Sequence, residues 1–360
     1  MTKVGRQPNF EILRVLAMVM IVTWHFLLHA IGSQSFTGTV GTFNYVVLQF
    51  LYILCSSCVN LFVLVSGYFM IEKPFNWRRM GRLWLEVVFY AFGISLLFYL
   101  LRPGNLTLKE VFQNLLPVRF SSYWFFRIYL GLMFLAPFLS KVTVALTRTQ
   151  YKRFLTVLFL LCCTLTMGFP YGDSMGAGKG YTLLWFIELF FLGGYFRRFA
   201  PAVSSKALAI VLLSLLVTAF VFVSGKSYFL RNELSLEMPA YNGIGILIAV
   251  PVFLWFKQKE FKDSRLMQLL ASAAPFTFAV YLISEHPQVS SVLWHELFDR
   301  TSITDSIALI PYMVLAVFIV FALCVSIDYL RTRLFKVCRI DATVDRCADY
   351  LSTAFDRIIK

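Results

Sequence analysis

Arg14 and His25 stand eleven positions apart in an otherwise apolar run, and they are the residues of this chain best suited to chemistry. At about 100° per residue, eleven steps along a helix bring two side chains to within about 20° of one face. At about 1.5 Å per step they lie about 16 Å apart along the axis. An arginine near one mouth of a membrane helix suits a phosphate or carboxylate, because its guanidinium is always charged and presents a planar fork of donors. A histidine set deeper exchanges a proton near neutral pH. His29 extends the same face by one turn. The plainer reading has Arg14 snorkelling and paired with Glu11 at i, i+3, while His25 hydrogen-bonds a neighbouring helix. Other ionisable groups fall within or beside apolar runs: Glu86, Arg127, Glu188 and the cluster Glu285, His286, His295 and Glu296. Each is costly at membrane depth, so each is a candidate for function or for a buried ion pair. Glu86 is expected to partner a neighbouring arginine, and Glu188 and Arg127 to pair with each other or touch a substrate.

The elements that must position these groups are membrane helices. The chain is 59% hydrophobic and 14% charged, with a mean hydropathy of +0.73, too apolar for 360 residues to hide in a water-soluble core. Runs of the length that crosses about 30 Å of hydrocarbon recur near 10–32, 44–71, 83–101, 123–140, 154–170, 181–196, 207–223, 241–256, 269–287 and 305–327. Lipid permits only helices or closed barrels, and no strand alternation is present, so the expected fold is an all-α polytopic membrane protein of about ten transmembrane helices. With the N-terminus inside, 24 Lys and Arg fall in inner segments and seven in outer ones, which predicts both ends in the cytoplasm. The net charge of +14 then reflects topology and attraction to anionic lipid, with no nucleic-acid partner. The first span is read as a retained helix rather than a cleaved leader. Residues 1–330 form one membrane domain and 331–360 a basic amphipathic cytoplasmic tail. The seven cysteines lie mostly in spans, and Cys55-x-x-Cys58 has no second ligand pair nearby, so it reads as packing and no metal is expected.

The stretch NFEILRVLAMVMIVTWHF resembles the opening helix of the membrane acyltransferase 3 family, whose hallmark is an Arg and a His separated by ten residues, matched by Arg14 and His25. VNLFVLVSGYFM resembles the family's Ser-Gly-Tyr helix, and RRMGR places Arg79 and Arg82 on its Arg-x-x-Arg pattern. SYWFFRIYLGLMFLAPFLS, LLWFIELFFLGGYFRR and FAVYLISEHP are similar to later family helices, in order, over nearly the whole chain. Where many relatives carry His after Tyr-Leu-Ile, this chain has Ser284, with His286 two residues on.

The resemblance implies an integral membrane O-acyltransferase that moves an acyl group, most often acetyl, from cytoplasmic acyl-CoA to a hydroxyl of a cell-envelope carbohydrate or related acceptor. Arg79 and Arg82 would bind the CoA phosphates, Arg14 would guide the cofactor, and His25 would act as general base or carry the acyl group itself. Tyr68, Tyr123, Trp124 and Tyr129 are candidates for the wall of a sugar cavity, since sugar rings stack on aromatic faces, although interfacial belts use the same residues. Glu188 and His286 join the candidate acceptor residues. YNGIGILIAVPVFLWF followed by FAVYLISEHP is similar to stand-alone members of exopolysaccharide type in bacterial cytoplasmic membranes. Two rivals remain: a small-molecule transporter, disfavoured by the lack of paired halves or broken helices, and a polyprenyl-sugar glycosyltransferase, disfavoured by sparse acidic residues.

Overall fold

The computed structural model describes residues 7–359, other than 33–34, 37, 72, 103, 105, 121–122, 165–176, 201, 232–233, 263 and 299–302, with the side chains of 230, 231 and 355–359 also left out. The end of the expected fifth span, 165–170, and Lys3, Arg6, Arg300 and Lys360 from the charge count lie outside the described residues.

Among the described residues every element is helical, apart from one isolated bridge between Ser35 and Ser235. Helix starts follow local chemistry. Pro8 opens the first helix, where its missing N–H costs nothing, and Asn76 accepts from the Arg79 N–H at 3.0 Å to open Trp77–Leu101. Thr147 and Gln150 form a reciprocal capping box before Arg148–Phe159.

Seven helical segments are long and apolar enough to cross a membrane: Pro8–Ile31, Gly38–Met70, Trp77–Leu101, Trp124–Ala145, Ser205–Phe229, Arg265–Ser284 and Leu309–Val337. They coincide with seven of the ten expected spans, and the chain is an all-α polytopic membrane protein. The other three expected spans are helical but do not reach that standard. Leu183–Phe199 has 17 residues, and Arg148–Phe159 with Leu160–Thr164 ends at the undescribed stretch. Tyr241–Gly245 and Ile246–Gln258 are interrupted at Gly243, whose backbone is non-helical.

Helix breaks, not expected from sequence, are present. The run 44–71 is two helices, Gly38–Cys55 and Cys58–Met70, because Ser56 and Ser57 turn their hydroxyls onto the carbonyls of Ile53 and Leu54 at 2.6 and 2.8 Å. The break at Gly243 lies against it: Asn60 donates to the Tyr241 carbonyl at 2.7 Å and accepts from the Trp185 indole at 2.9 Å. Irregular backbone at membrane depth survives where protein side chains satisfy it, and here one buried asparagine ties together three segments.

The first helix sits among the others, touching Gly38–Cys55, Cys58–Met70, Ile246–Gln258, Arg265–Ala273, Thr277–Ser284 and Leu309–Val337. Most of its side chains are therefore buried in protein rather than lipid. Helices Cys58–Met70 and Leu183–Phe199 cross at bare backbone: a Cβ on Gly67 would lie 2.5 Å from the Phe190 carbonyl oxygen, and one on Gly193 2.5 Å from that of Leu64. Gly193→Val is expected to force these backbones apart at a cost of at least about 1–3 kcal/mol. Thermal size-exclusion profiles should show a loss of the monodisperse peak at temperatures the parent survives. Gly93→Ala, where a Cβ meets nothing within 4 Å, should leave the profile unchanged.

The last membrane helix continues to Val337, so Arg331 belongs to it rather than to a free tail. Arg331 lies 3.5 Å from Glu86 and also bonds Asp328, which accepts from the Tyr90 hydroxyl at 2.7 Å. Glu86 thus pairs with an arginine, but one from the far end of the chain. Arg339 then takes a left-handed turn (φ 55°), and Ile340–Ile359 folds back onto the start of Trp77–Leu101.

Candidate active site

His25 ends the regular part of the first helix, which widens into a π-helical turn over Phe26–Ile31 carrying His29. Glu285, one residue past Thr277–Ser284, reaches both histidines. Its Oε1 lies 3.0 Å from Nδ1 of His25 and its Oε2 3.6 Å from Nε2 of His29. Neither His25 Nδ1 nor Glu285 Oε1 makes an aligned hydrogen bond, so the approach is a close polar contact rather than a hydrogen bond. With Nδ1 turned to the carboxylate, Nε2 of His25 is the ring nitrogen left to accept a proton.

Of this group, His25 faces an apolar cleft lined by Met18, Ile21, Trp24 and His25 of the first helix and by Cys58, Val59, Phe62, Trp124, Phe125, Tyr241, Phe278 and Tyr281. Met18, Ile21 and His25 recur at helical spacing, and Arg14 continues their stripe one turn below Met18. Arg14 and His25 therefore share a face, as their spacing predicts. Arg14 also takes the plainer partner, donating to Glu11 at 2.9 Å, with its guanidinium 6.0 Å from the Phe69 ring.

The other candidates divide between the two ends of the molecule. Trp124 lines the cleft with His25 and stacks on Tyr241 at 6.3 Å. Tyr68 is at the opposite, Arg14 end: its ring packs 4.8 Å from Phe10 and lies under the Arg197 guanidinium. Cys58–Met70 runs back toward the side on which the first helix begins, so Tyr68 stands at the end of the molecule away from Trp124 and His25. Tyr129 is there too, 3.1 Å from the Ser66 hydroxyl and 3.5 Å from Arg79. Glu188 is buried beside Cys162, whereas Arg127 is exposed, and the two form no ion pair. Tyr123 and His286 lie together, with ring centroids 6.4 Å apart, in a second and polar pocket. The acidic and imidazole cluster at the end of Thr277–Ser284 disperses: Glu285 turns to His25, His286 to Ser95, and Glu296 to Arg102 at 2.7 Å, which holds the Glu296 carboxyl below its ordinary range. His295 is exposed.

At the start of Trp77–Leu101, Arg82 and Arg78 make two-point pairs with Asp345 and Asp349 of the C-terminal helix, at 2.5–3.0 Å and 2.7–2.8 Å. These acids were absent from the sequence expectations. The signal was available, since two acids four apart on a helical tail match two arginines four apart on Trp77–Leu101. Among the described residues the Arg79 side chain makes one hydrogen bond, the long contact to Tyr129.

A family model described as an acyltransferase domain, that of acyltransferase 3, matches residues 7–329. It spans every helix around the His25 cleft and stops before the C-terminal helix. No curated protein and no solved structure matches the chain.

Proposed function

We propose, from the premise that this chain belongs to the acyltransferase 3 family and is a multi-pass membrane acyltransferase, that it carries an acyl group, acetyl first among them, from acyl-CoA made in the cytoplasm to a hydroxyl of a cell-envelope carbohydrate. The host membrane would be a bacterial cytoplasmic membrane with both chain ends inside. The observation that carries this reading is the contact of Glu285 with His25, which lines an apolar cleft on the same face of the first helix as Arg14.

The aromatic and aliphatic walls of the cleft suit an acyl chain and the uncharged arm that bears it, and they keep water from the thioester. Nε2 of His25 takes the proton of the acceptor hydroxyl as its oxygen attacks the thioester carbonyl carbon. The C–S bond breaks, and the departing thiolate takes up that proton from the imidazolium. Glu285 stabilises the imidazolium while it exists. Trp124 offers its face to the acceptor ring. Arg14, Arg79 and Arg82 receive the anionic head of CoA, with Tyr68 at the same end. In radiolabelled acetyl-CoA assays with proteoliposomes, label should pass to added lipid-linked glycan. Label retained on the protein would instead point to His25 as the acyl carrier, and no consumption of acetyl-CoA with any acceptor would sink the reading.

The tail imposes a condition on this donor site, because Asp345 already occupies Arg82 as a phosphate would. Exposed pairs of this kind are weak enough for a polyanion to displace. Asp345→Asn with Asp349→Asn is expected to lower the KM for acetyl-CoA several-fold with little change in kcat. The same pairs set a pH response. Each carboxyl is held below the ordinary aspartate range by the guanidinium it accepts from. A depressed folded pKa means that the docking free energy is fully present above the unfolded pKa and is lost as pH falls through the folded one. The C-terminal helix should therefore stay protected from protease at neutral pH and become cleavable on acidification with an acid-active protease.

A further inference from the structure

A second cavity of about 270 Å³ opens beside the cleft, between the segment 108–120 and the helix Pro287–Ser291, just below the roughly 300–1,000 Å³ of drug-sized ligand sites and room for one ring. We propose that it is an acceptor subsite that binds a neutral, hydroxyl-rich sugar ring next to the one acylated. This rests on the acyl-transfer reading above.

The chemistry of the lining selects the ligand. His286 is 2% exposed, and its Nε2 lies 3.2 Å from the Ala91 carbonyl oxygen and 3.1 Å from Ser95 Oγ. A carbonyl only accepts, so in the neutral ring Nε2 carries the hydrogen and Nδ1 holds a lone pair. That Nδ1 is buried without a partner, an acceptor in want of an O–H or N–H. Asn114 spends both amide hydrogens, on Ser95 Oγ at 2.9 Å and the Glu110 carbonyl at 3.1 Å, and so offers only Oδ1. Gln113 and Gln288 bring amides that both donate and accept. Hydroxyl groups answer all of these at once, whereas an anion answers only the donors. Among the described residues no Lys or Arg lines the pocket, and the Glu110 carboxylate is already engaged by the Thr107 N–H and hydroxyl. Phe120, 42% exposed, supplies a face on which a ring can lie.

Position ties the pocket to the reaction. Tyr123 lines the pocket, Tyr281 lines the cleft, and their rings are 5.7 Å apart. Glu285 and His286 are consecutive in the chain: Glu285 contacts His25 of the cleft, and His286 lines the second cavity. A glycan unit held on His286 is thus one aromatic layer from His25, which fits an acceptor of at least two linked sugars.

The test uses the full chain in lipid nanodiscs and oligosaccharides released from the envelope of cells that make it, separated into neutral and anionic pools. With His25→Ala protein and no acyl donor, so that no turnover competes with binding, the neutral pool should bind. Gln113→Leu with Gln288→Leu should weaken that binding at least tenfold, as should Gln288→Trp, which fills the pocket without touching the Asn114 bonds. Binding that is absent, unchanged by these replacements or confined to the anionic pool overturns the subsite. In otherwise wild-type protein the same replacements should raise the acceptor KM at least tenfold more than the KM for acetyl-CoA, and equal losses on both sides overturn it. Neutral-glycan binding that needs the pocket, in a protein that consumes no acetyl-CoA, would keep the subsite and remove acyl transfer.

Discussion

His25→Ala is expected to lower acyl transfer by about 10²–10⁴-fold, the range that a positioned general base contributes. The size follows from the surroundings of the ring. The cleft offers no second base within the first helix's stripe, since Met18 and Ile21 precede His25 on it, and His29 is held one turn beyond. The variant should fold, because the helix on either side of His25 is fixed by Trp24 against Tyr52 and Phe26 against Trp294. Single-turnover acetyl transfer in proteoliposomes is the measurement. A shared loss of thermal stability would assign the residue to packing. Activity within tenfold of the parent, in protein of unchanged stability, would end the case for histidine catalysis here.

Much of this site is written locally and much is not. Arg14 and His25 are readable because one helix carries both and its period is fixed, and the Glu11–Arg14 pair is readable for the same reason. The spans are readable because lipid sets their length. What escapes is any contact between distant segments. Glu285 lies 260 positions from His25, and nothing in the hydropathy of either helix says that their ends meet. The same holds for Glu86 and Arg331, where a charge expected to find a near neighbour is neutralised from the last helix. Helix breaks escape for a subtler reason: Ser56 and Ser57 are compatible with a continuous helix, and nothing local says that the backbone of Gly245 comes so close that a Cβ there would lie 2.4 Å from the Ser56 carbonyl oxygen. Tyr68 shows the limit of residue type alone, since a tyrosine near a membrane edge looks the same at either face.

Glu285→Gln is expected to lower kcat by about 10–10²-fold while leaving the KM for acetyl-CoA within about threefold. A charge-assisted contact is worth about 1.5–3 kcal/mol, and each 1.4 kcal/mol is a factor of ten in rate. The substitution keeps the shape of the side chain and removes the charge that stabilises the imidazolium, so the effect should fall on the step that creates that cation and not on donor binding. Glu285 is a positioning residue in this scheme: it touches His25 and His29, and the cleft is lined by neither it nor Ser284. Its role separates from packing by rescue. Glu285→Asp keeps the charge on a shorter arm and should recover part of the rate, whereas a structural role would favour the isosteric Gln over the shorter Asp. The order Glu, Asp, Gln in kcat, at equal thermal stability, supports the pair as the working centre. The order Glu, Gln, Asp would leave His25 acting without it.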